Sequence, residues 1–410
     1  MTDFGLLQEQ EKSPLVVDPM GGANQTRVRA YNERLVLSLV RRHGSVSKAD
    51  IARRTGLSAQ TVSVIMRALE KDGLLARGQP QRGRVGQPSI PMSLNPDGVF
   101  SYGLKIGRRS VDLVLMDFTG NIRSQLHETY RYPTPAGIVL FAENAVKSMH
   151  LAMRPADRRK ISGMGVALPF ELWNWAEEMG APEEDLNAWR DADIATLLEQ
   201  RLGVPIFLQN DATAACAAEL AFGSGPQFAD FAYFFIGSFI GGGVVLNHAL
   251  YSGRTGNAGA FGSMPFPSRD GVPCQLIDKA SVFLLEKMLI DAGRDPSSIW
   301  LTPDNWADFG EIGEIWVDRT ARALATAAAT VCSVIDFEAI IIDGGFSAAI
   351  RSAIVQATRR EILTLDLQGI APPVIEEGRV GAAARAIGAG SLPLFSRYHI
   401  DQSVLFKETH

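Results

Sequence analysis

The 410 residues are 46% hydrophobic and 21% charged with a net charge of only −5, which excludes a chain that is disordered throughout. The length supports two or three domains, each with a core of its own. Three well-separated cysteines (Cys216, Cys274, Cys332) without a CxxC pair argue against a disulfide framework or a cysteine-rich metal site and fit a reducing cytoplasm.

The first 25 residues hold Asp3, Glu9, Glu11 and Asp18 and no apolar run, so they do not read as a secretory signal. Residues 1–23 are expected to form a flexible leader. Charge then becomes uneven. Between Arg27 and Gln87 stand thirteen Lys or Arg against four acids, a net of +9 that leaves −14 for the rest of the chain. A compact basic module on an acidic body implies a polyanion partner for the module alone.

Inside that module a first helix is expected from about Arg29 to His43, closed by Gly44. Ser47 caps a short helix over Lys48 to Thr55, and Gly56-Leu57-Ser58 forms a tight turn. Ser58 then caps a third helix reaching about Asp72, with Val62, Ile65 and Leu69 at core spacing. Its opposite face presents Gln60, Thr61, Ser63, Val64 and Arg67: hydrogen-bonding groups plus one small apolar group able to meet a thymine methyl. Arg77 to Pro88 reads as a hairpin carrying Arg77, Arg82 and Arg84 among glycines.

The pattern resembles a winged helix-turn-helix, a fold that sets its third helix in a major groove and its wing against phosphates. The candidate DNA contacts are therefore Lys48, Ser58, Gln60, Thr61, Ser63, Val64, Arg67, Arg82 and Arg84. The plainer alternative is a three-helix protein-interaction module. Asn95-Pro96-Asp97-Gly98 is a turn cluster that closes this mainly α domain, placed at 24–95.

Residues 96–396 are expected to form two lobes with a break near 205–230, followed by a tail over 397–410. Strands are expected at Phe100 to Ile106, Val111 to Asp117 and up to about Tyr130, before a helix over Gly137 to Met153. A similar order returns at Phe231 to Gly237, Gly241 to Asn247 and Ala249 to Ser252. The stretch Phe228 to Leu246 contains Asp230 and four glycines and reads as strands and a turn, not a membrane span. Two facing copies of a strand-strand-strand-helix unit suggest an α/β two-lobe architecture of the actin and sugar-kinase kind.

Several phrases resemble the ROK family of repressors and sugar kinases: Gly163-Met164-Gly165-Val166-Ala167-Leu168-Pro169, Gln209-Asn210-Asp211-Ala212, Ile236 to Gly243, Gly256 to Met264, and Ile342-Asp343-Gly344-Gly345. The resemblance implies that Asp211 stands where the family's kinases hold their general base, and that Asn210, Asp211, Gly259 and Ser263 face a sugar. An Asn-Asp pair between strand and helix is also an ordinary N-cap, and that reading stays open.

Three departures weigh against kinase chemistry. Lys105 replaces the family's metal-side Asp, and Arg108 and Arg109 replace a Gly and a Thr beside the phosphates, so a magnesium nucleotide is not expected. Ala260 and Ser263 replace a sugar-binding Glu and a zinc-binding His, and only Cys274 remains of the cysteine cluster, so no zinc is expected. Trp173, Trp175 and Trp189 lie near where the resemblance places the sugar cleft; one could stack on a sugar, though packing is the commoner fate.

The resemblance implies a sugar-responsive regulator, a repressor of carbohydrate transport or catabolism genes, that binds operator DNA as a homodimer or tetramer; the departures imply no enzyme activity, and the composition implies a cytoplasmic protein with no membrane partner. The alternatives are a ROK sugar kinase with a DNA module, or a regulator whose body only dimerises.

Overall fold

The computed structural model describes residues 25–80, 90–169, 172–175, 181–266, 272–302, 306 and 309–399. The leader, the wing arginines Arg82 and Arg84, and residues 400–410 of the expected tail lie outside these.

The N-terminal head is built from α1 (Gln25–His43), β1 (Ser45–Val46), α2 (Lys48–Thr55), α3 (Ala59–Lys71), β2 (Leu75–Arg77) and β3 (Met92–Leu94). The caps of α2 and α3 are hydroxyl residues placed just before each helix. Ser47 accepts from the Asp50 amide and Ser58 from the Thr61 amide, satisfying donors the first turn leaves open. Val36, Leu37 and Val40 of α1 meet Ile51 of α2 and Val62, Ile65, Met66 and Leu69 of α3 in one buried cluster. β2 and β3 pair antiparallel with Leu75 opposite Leu94 and Arg77 opposite Met92, and β1 covers the other edge of β3. The base of the expected wing is thus an antiparallel strand pair; residues 81–89 lie outside the described residues.

The body holds two five-stranded sheets of matching design. The first contains β4 (Phe100–Ile106), β5 (Ser110–Asp117), β6 (Ile122–Thr129), β7 (Ile161–Leu168) and β8 (Ile206–Asn210), in the order β6-β5-β4-β7-β8. The second contains β9 (Phe231–Ile236), β10 (Ile240–Leu246), β11 (Ala249–Tyr251), β14 (Ala339–Gly344) and β15 (Val374–Glu377), in the order β11-β10-β9-β14-β15. Between β11 and β14 in sequence, β12 (Pro265–Phe266) and β13 (Cys274–Gln275) form a small ribbon. In each sheet three antiparallel strands are followed by two that run parallel to the first of them. The internal repeat expected from the sequence is therefore a repeat of topology. Central strands β4, β9 and β14 are buried at every residue, as strands covered on both faces must be.

Two helices form the seam between the lobes. The helix Asp211–Phe222 lies on β10, the helix Ala384–Tyr398 lies on β4 and β7, and the two pack against each other. Their approach is close enough to demand glycine. A Cβ on Gly388 would stand 1.8 Å from the Ala214 carbonyl oxygen, and one on Gly165 of β7 would stand 1.8 Å from that of Ala389. The run Gly241-Gly242-Gly243 has the same cause: it lies within β10, and a Cβ on Gly243 would meet Cys216 at 2.5 Å. The last helix runs through Tyr398, and the following His399 is buried against Phe118 and Phe395, so residues 397–399 pack as part of the body.

Candidate functional site

A cavity of about 210 Å³ opens between the lobes at the N-terminus of the helix Asp211–Phe222. Asn210 and Asp211 line it together with Gly259 and Ser263, two local pairs that are distant from each other in sequence. Asn210 is the N-cap: its Oδ1 accepts from the amides of Ala212 at 3.1 Å and Thr213 at 3.2 Å. The side-chain NH₂ is the group it still offers a ligand. Asp211 has each carboxylate oxygen engaged. Oδ1 accepts from the Ala212 amide at 2.9 Å, and Oδ2 meets Nη1 of Arg385 at 3.2 Å.

Gly259 adopts φ +82°, and any Cβ there would stand 2.5 Å from the Cα of Gly243, so backbone meets backbone at the cavity wall. Ser263 ends the 3₁₀ turn Phe261–Ser263, which is anchored by the Phe261 ring stacked on Phe234 at 4.6 Å between centroids. The polar wall of the cavity thus offers amide, hydroxyl and backbone groups around one ion pair. Sequence reasoning missed Arg385. It stands alone in a run of small residues, Gly381 to Gly390, and an isolated cation in such a run was the available signal.

The first hairpin is closed by its own cations. Nζ of Lys105 donates to Ser110 Oγ at 2.8 Å and to Asp112 Oδ2 at 3.0 Å, and a Cβ on Gly107 would lie 2.7 Å from that ammonium. Burial lowers the Lys105 pKa against the pull of Asp112. Against burial, which would raise it, Lys105 and His127 hold the Asp112 carboxyl well below the usual carboxylate range.

Arg108 and Arg109 reach across to the other lobe, where Glu286 faces them at 3.6 and 3.5 Å. Glu286, on the helix Val282–Asp291, was also missed, because nothing local in the sequence pairs it with residues nearly two hundred positions away. A second cavity of about 480 Å³ lies on this side, bordered by Lys105, Asp112, His127, Arg351, Gly381 and Arg385. Arg385 and Ser238 border both cavities.

Of the tryptophans, Trp189 is buried with Nε1 donating to the Pro133 carbonyl, and Trp173 lies under Arg190; neither lines the first cavity. The Trp175 side chain lies outside the described residues. Among the described residues no three His, Cys, Asp or Glu side chains converge on a common point, and no helix is long and apolar enough to cross a membrane.

On the head, Lys48, Gln60 and Arg67 are exposed, Thr61 and Ser63 partly so, and Val64 is 49% exposed despite its apolar side chain. Ser58 is occupied as the cap of α3 and touches the Thr61 hydroxyl at 2.9 Å. Arg77 is bound by Glu70 and Arg53 by Asp50, while the guanidinium of Arg41 points into the protein.

These features define a three-helix head with a polar exposed face on its third helix, joined to a two-lobed α/β body with a cavity between the lobes. Residues 29–76 match the winged helix-turn-helix DNA-binding family, and residues 101–276 match the ROK family. The chain therefore carries a ROK domain behind an N-terminal winged helix-turn-helix. It is 27% identical over 247 residues to the xylose repressor of Bacillus spizizenii, which covers 59% of this chain and 62% of that one. The match thus spans about three fifths of that relative's length.

Among solved structures, a ROK family transcriptional regulator described as a homologue of the E. coli MLC protein superposes with a TM-score of 0.63 at 18% identity, covering 90% of this chain and 98% of that one. A ROK family glucokinase from Streptomyces griseus, in complex with glucose and AMPPNP, gives 0.56 at 23% identity, covering 72% and 98%. These two likenesses concern the fold.

Proposed function

We propose that this protein is a sugar-responsive transcriptional repressor that has lost phosphoryl transfer. The head binds operator DNA, with α3 in the major groove and Lys48, Gln60, Thr61, Ser63, Val64 and Arg67 as its contacts. Two heads of a homodimer read half-sites about one DNA turn, roughly 34–36 Å, apart. The cavity at Asn210, Asp211, Gly259 and Ser263 takes a sugar or sugar-derivative effector, whose hydroxyls can bridge the Asn210 amide and the Asp211 carboxylate.

The observation that carries the reading is the state of the first hairpin. Where a kinase needs an open loop for phosphate, Lys105 closes on Ser110 and Asp112, and Arg108 and Arg109 are met by Glu286 of the opposite lobe. Asp211 is likewise tied to Arg385, so a ligand hydroxyl would share the carboxylate with that guanidinium. Xylose regulation in the Bacillus spizizenii relative supports a carbohydrate effector.

Two assays on the purified full chain test this. A coupled nucleotide-turnover assay with a panel of hexoses is expected to show no turnover above background; robust turnover that Asp211→Asn abolishes would make the protein a kinase. Thermal melting across neutral sugars and sugar phosphates is expected to show at least one stabilising ligand. A flat panel would leave the body as a dimerisation module.

A further inference from the structure

The two seam helices connect the cavity to the head at matched lengths. From Asp211 to Phe222 is about 16 Å of helix, and from Arg385 to Phe395 about 15 Å, at roughly 1.5 Å per residue. They start together at the Asp211–Arg385 ion pair and pack side by side through Gly388 on Ala214. At their far ends the rings of Phe222 and Phe395 enclose the guanidinium of Arg41, whose Cζ lies 4.6 and 4.2 Å from the two ring centroids.

Arg41 belongs to α1 of the head. Its Nη1 and Nη2 are buried without a hydrogen-bond partner, and burial pulls its pKa down to about 9. Beside it, the buried His399 lies with Nδ1 3.4 Å from the hydroxyl of Ser38, also on α1. Burying a guanidinium without hydrogen bonds is unfavourable, and attraction to two ring faces offsets only part of that. A joint of so little net gain can exchange between two arrangements at small cost, as a transmitting element must.

We propose that Arg41 is a positioning residue that reports the state of the cavity to the DNA-reading head. A ligand that engages Asp211 releases Arg385, the helices Asp211–Phe222 and Ala384–Tyr398 shift against each other, and the Phe222–Arg41–Phe395 sandwich repacks and re-aims α1. The proposal rests on reading the cavity as the effector site, but its test needs no effector.

Hydrogen–deuterium exchange is measured by mass spectrometry on the α1 segment of the full-length protein, with Asp211→Ala used to break the ion pair. Exchange in α1 is expected to rise at least tenfold in the wild-type background and in Arg41→Lys, which keeps a cation between the rings. In Arg41→Met, which fills the space without charge, Asp211→Ala is expected to change α1 exchange less than twofold. Arg41→Gln gives the same readout if Arg41→Met does not fold.

Unchanged α1 exchange in Asp211→Ala, or a full response persisting in Arg41→Met, would overturn the proposal and leave Arg41 with packing alone. A flat sugar panel together with intact coupling would instead fault the effector reading, so the two failures are separable.

Discussion

Replacing Arg67 with alanine is expected to weaken operator binding by about 1–3 kcal/mol per half-site, roughly five- to 150-fold, and to relax base preference at one position of each half-site. The side chain is exposed at mid-helix on α3, with Nε 3.1 Å from the Ser63 carbonyl oxygen, which holds it along the face carrying Gln60, Thr61 and Val64. Val62, Ile65 and Leu69 fix that face outward by occupying the core. Fluorescence anisotropy at fixed salt, with matched and scrambled sites, separates the two effects. A loss equal on both sequences would make Arg67 a phosphate contact, and no loss would take α3 out of the groove.

A second large effect is expected at the seam. Gly388→Ala would ordinarily help a helix by up to about 1 kcal/mol. Here the added methyl has nowhere to go, because it would stand 1.8 Å from a backbone oxygen of the neighbouring helix. Overpacking of this kind costs about 1–3 kcal/mol and occasionally more, and a contact with backbone cannot be relieved by a rotamer change. The contact therefore outweighs the propensity. The variant is expected to lower the urea midpoint of the body's unfolding transition, and an unchanged or raised midpoint would mean that the helices do not approach as described.

Much of the fold was legible because its signals are local. The spacing of Val62, Ile65 and Leu69, the hydroxyl caps Ser47 and Ser58, and the repeated three-strand order each lie within a few residues of one another. What escaped depends on distant parts of the chain. Arg41 was counted among the outward charges of the basic module, yet its guanidinium is enclosed by Phe222 and Phe395, which no local pattern could reveal.

The reason for the glycines at 241–243 is not local either: glycine serves loops and close packing equally well, and here the cause is the neighbouring helix carrying Cys216. In the cavity, the gathering of Asn210, Asp211, Gly259 and Ser263 was foreseen from motif resemblance, whereas the partners that decide their chemistry were not. Arg385 and Glu286 match no motif, and their role comes from where the lobes meet.

The most direct test of the account is selection of sheared genomic fragments by the full-length protein at near-physiological salt, followed by sequencing, with and without sugars that raise its melting temperature. A few enriched sites are expected, sharing an inverted repeat with half-sites about one DNA turn apart and released when a stabilising sugar is present. Enrichment without a shared motif, the same in every sugar, would contradict it and reduce the head to an unspecific phosphate binder.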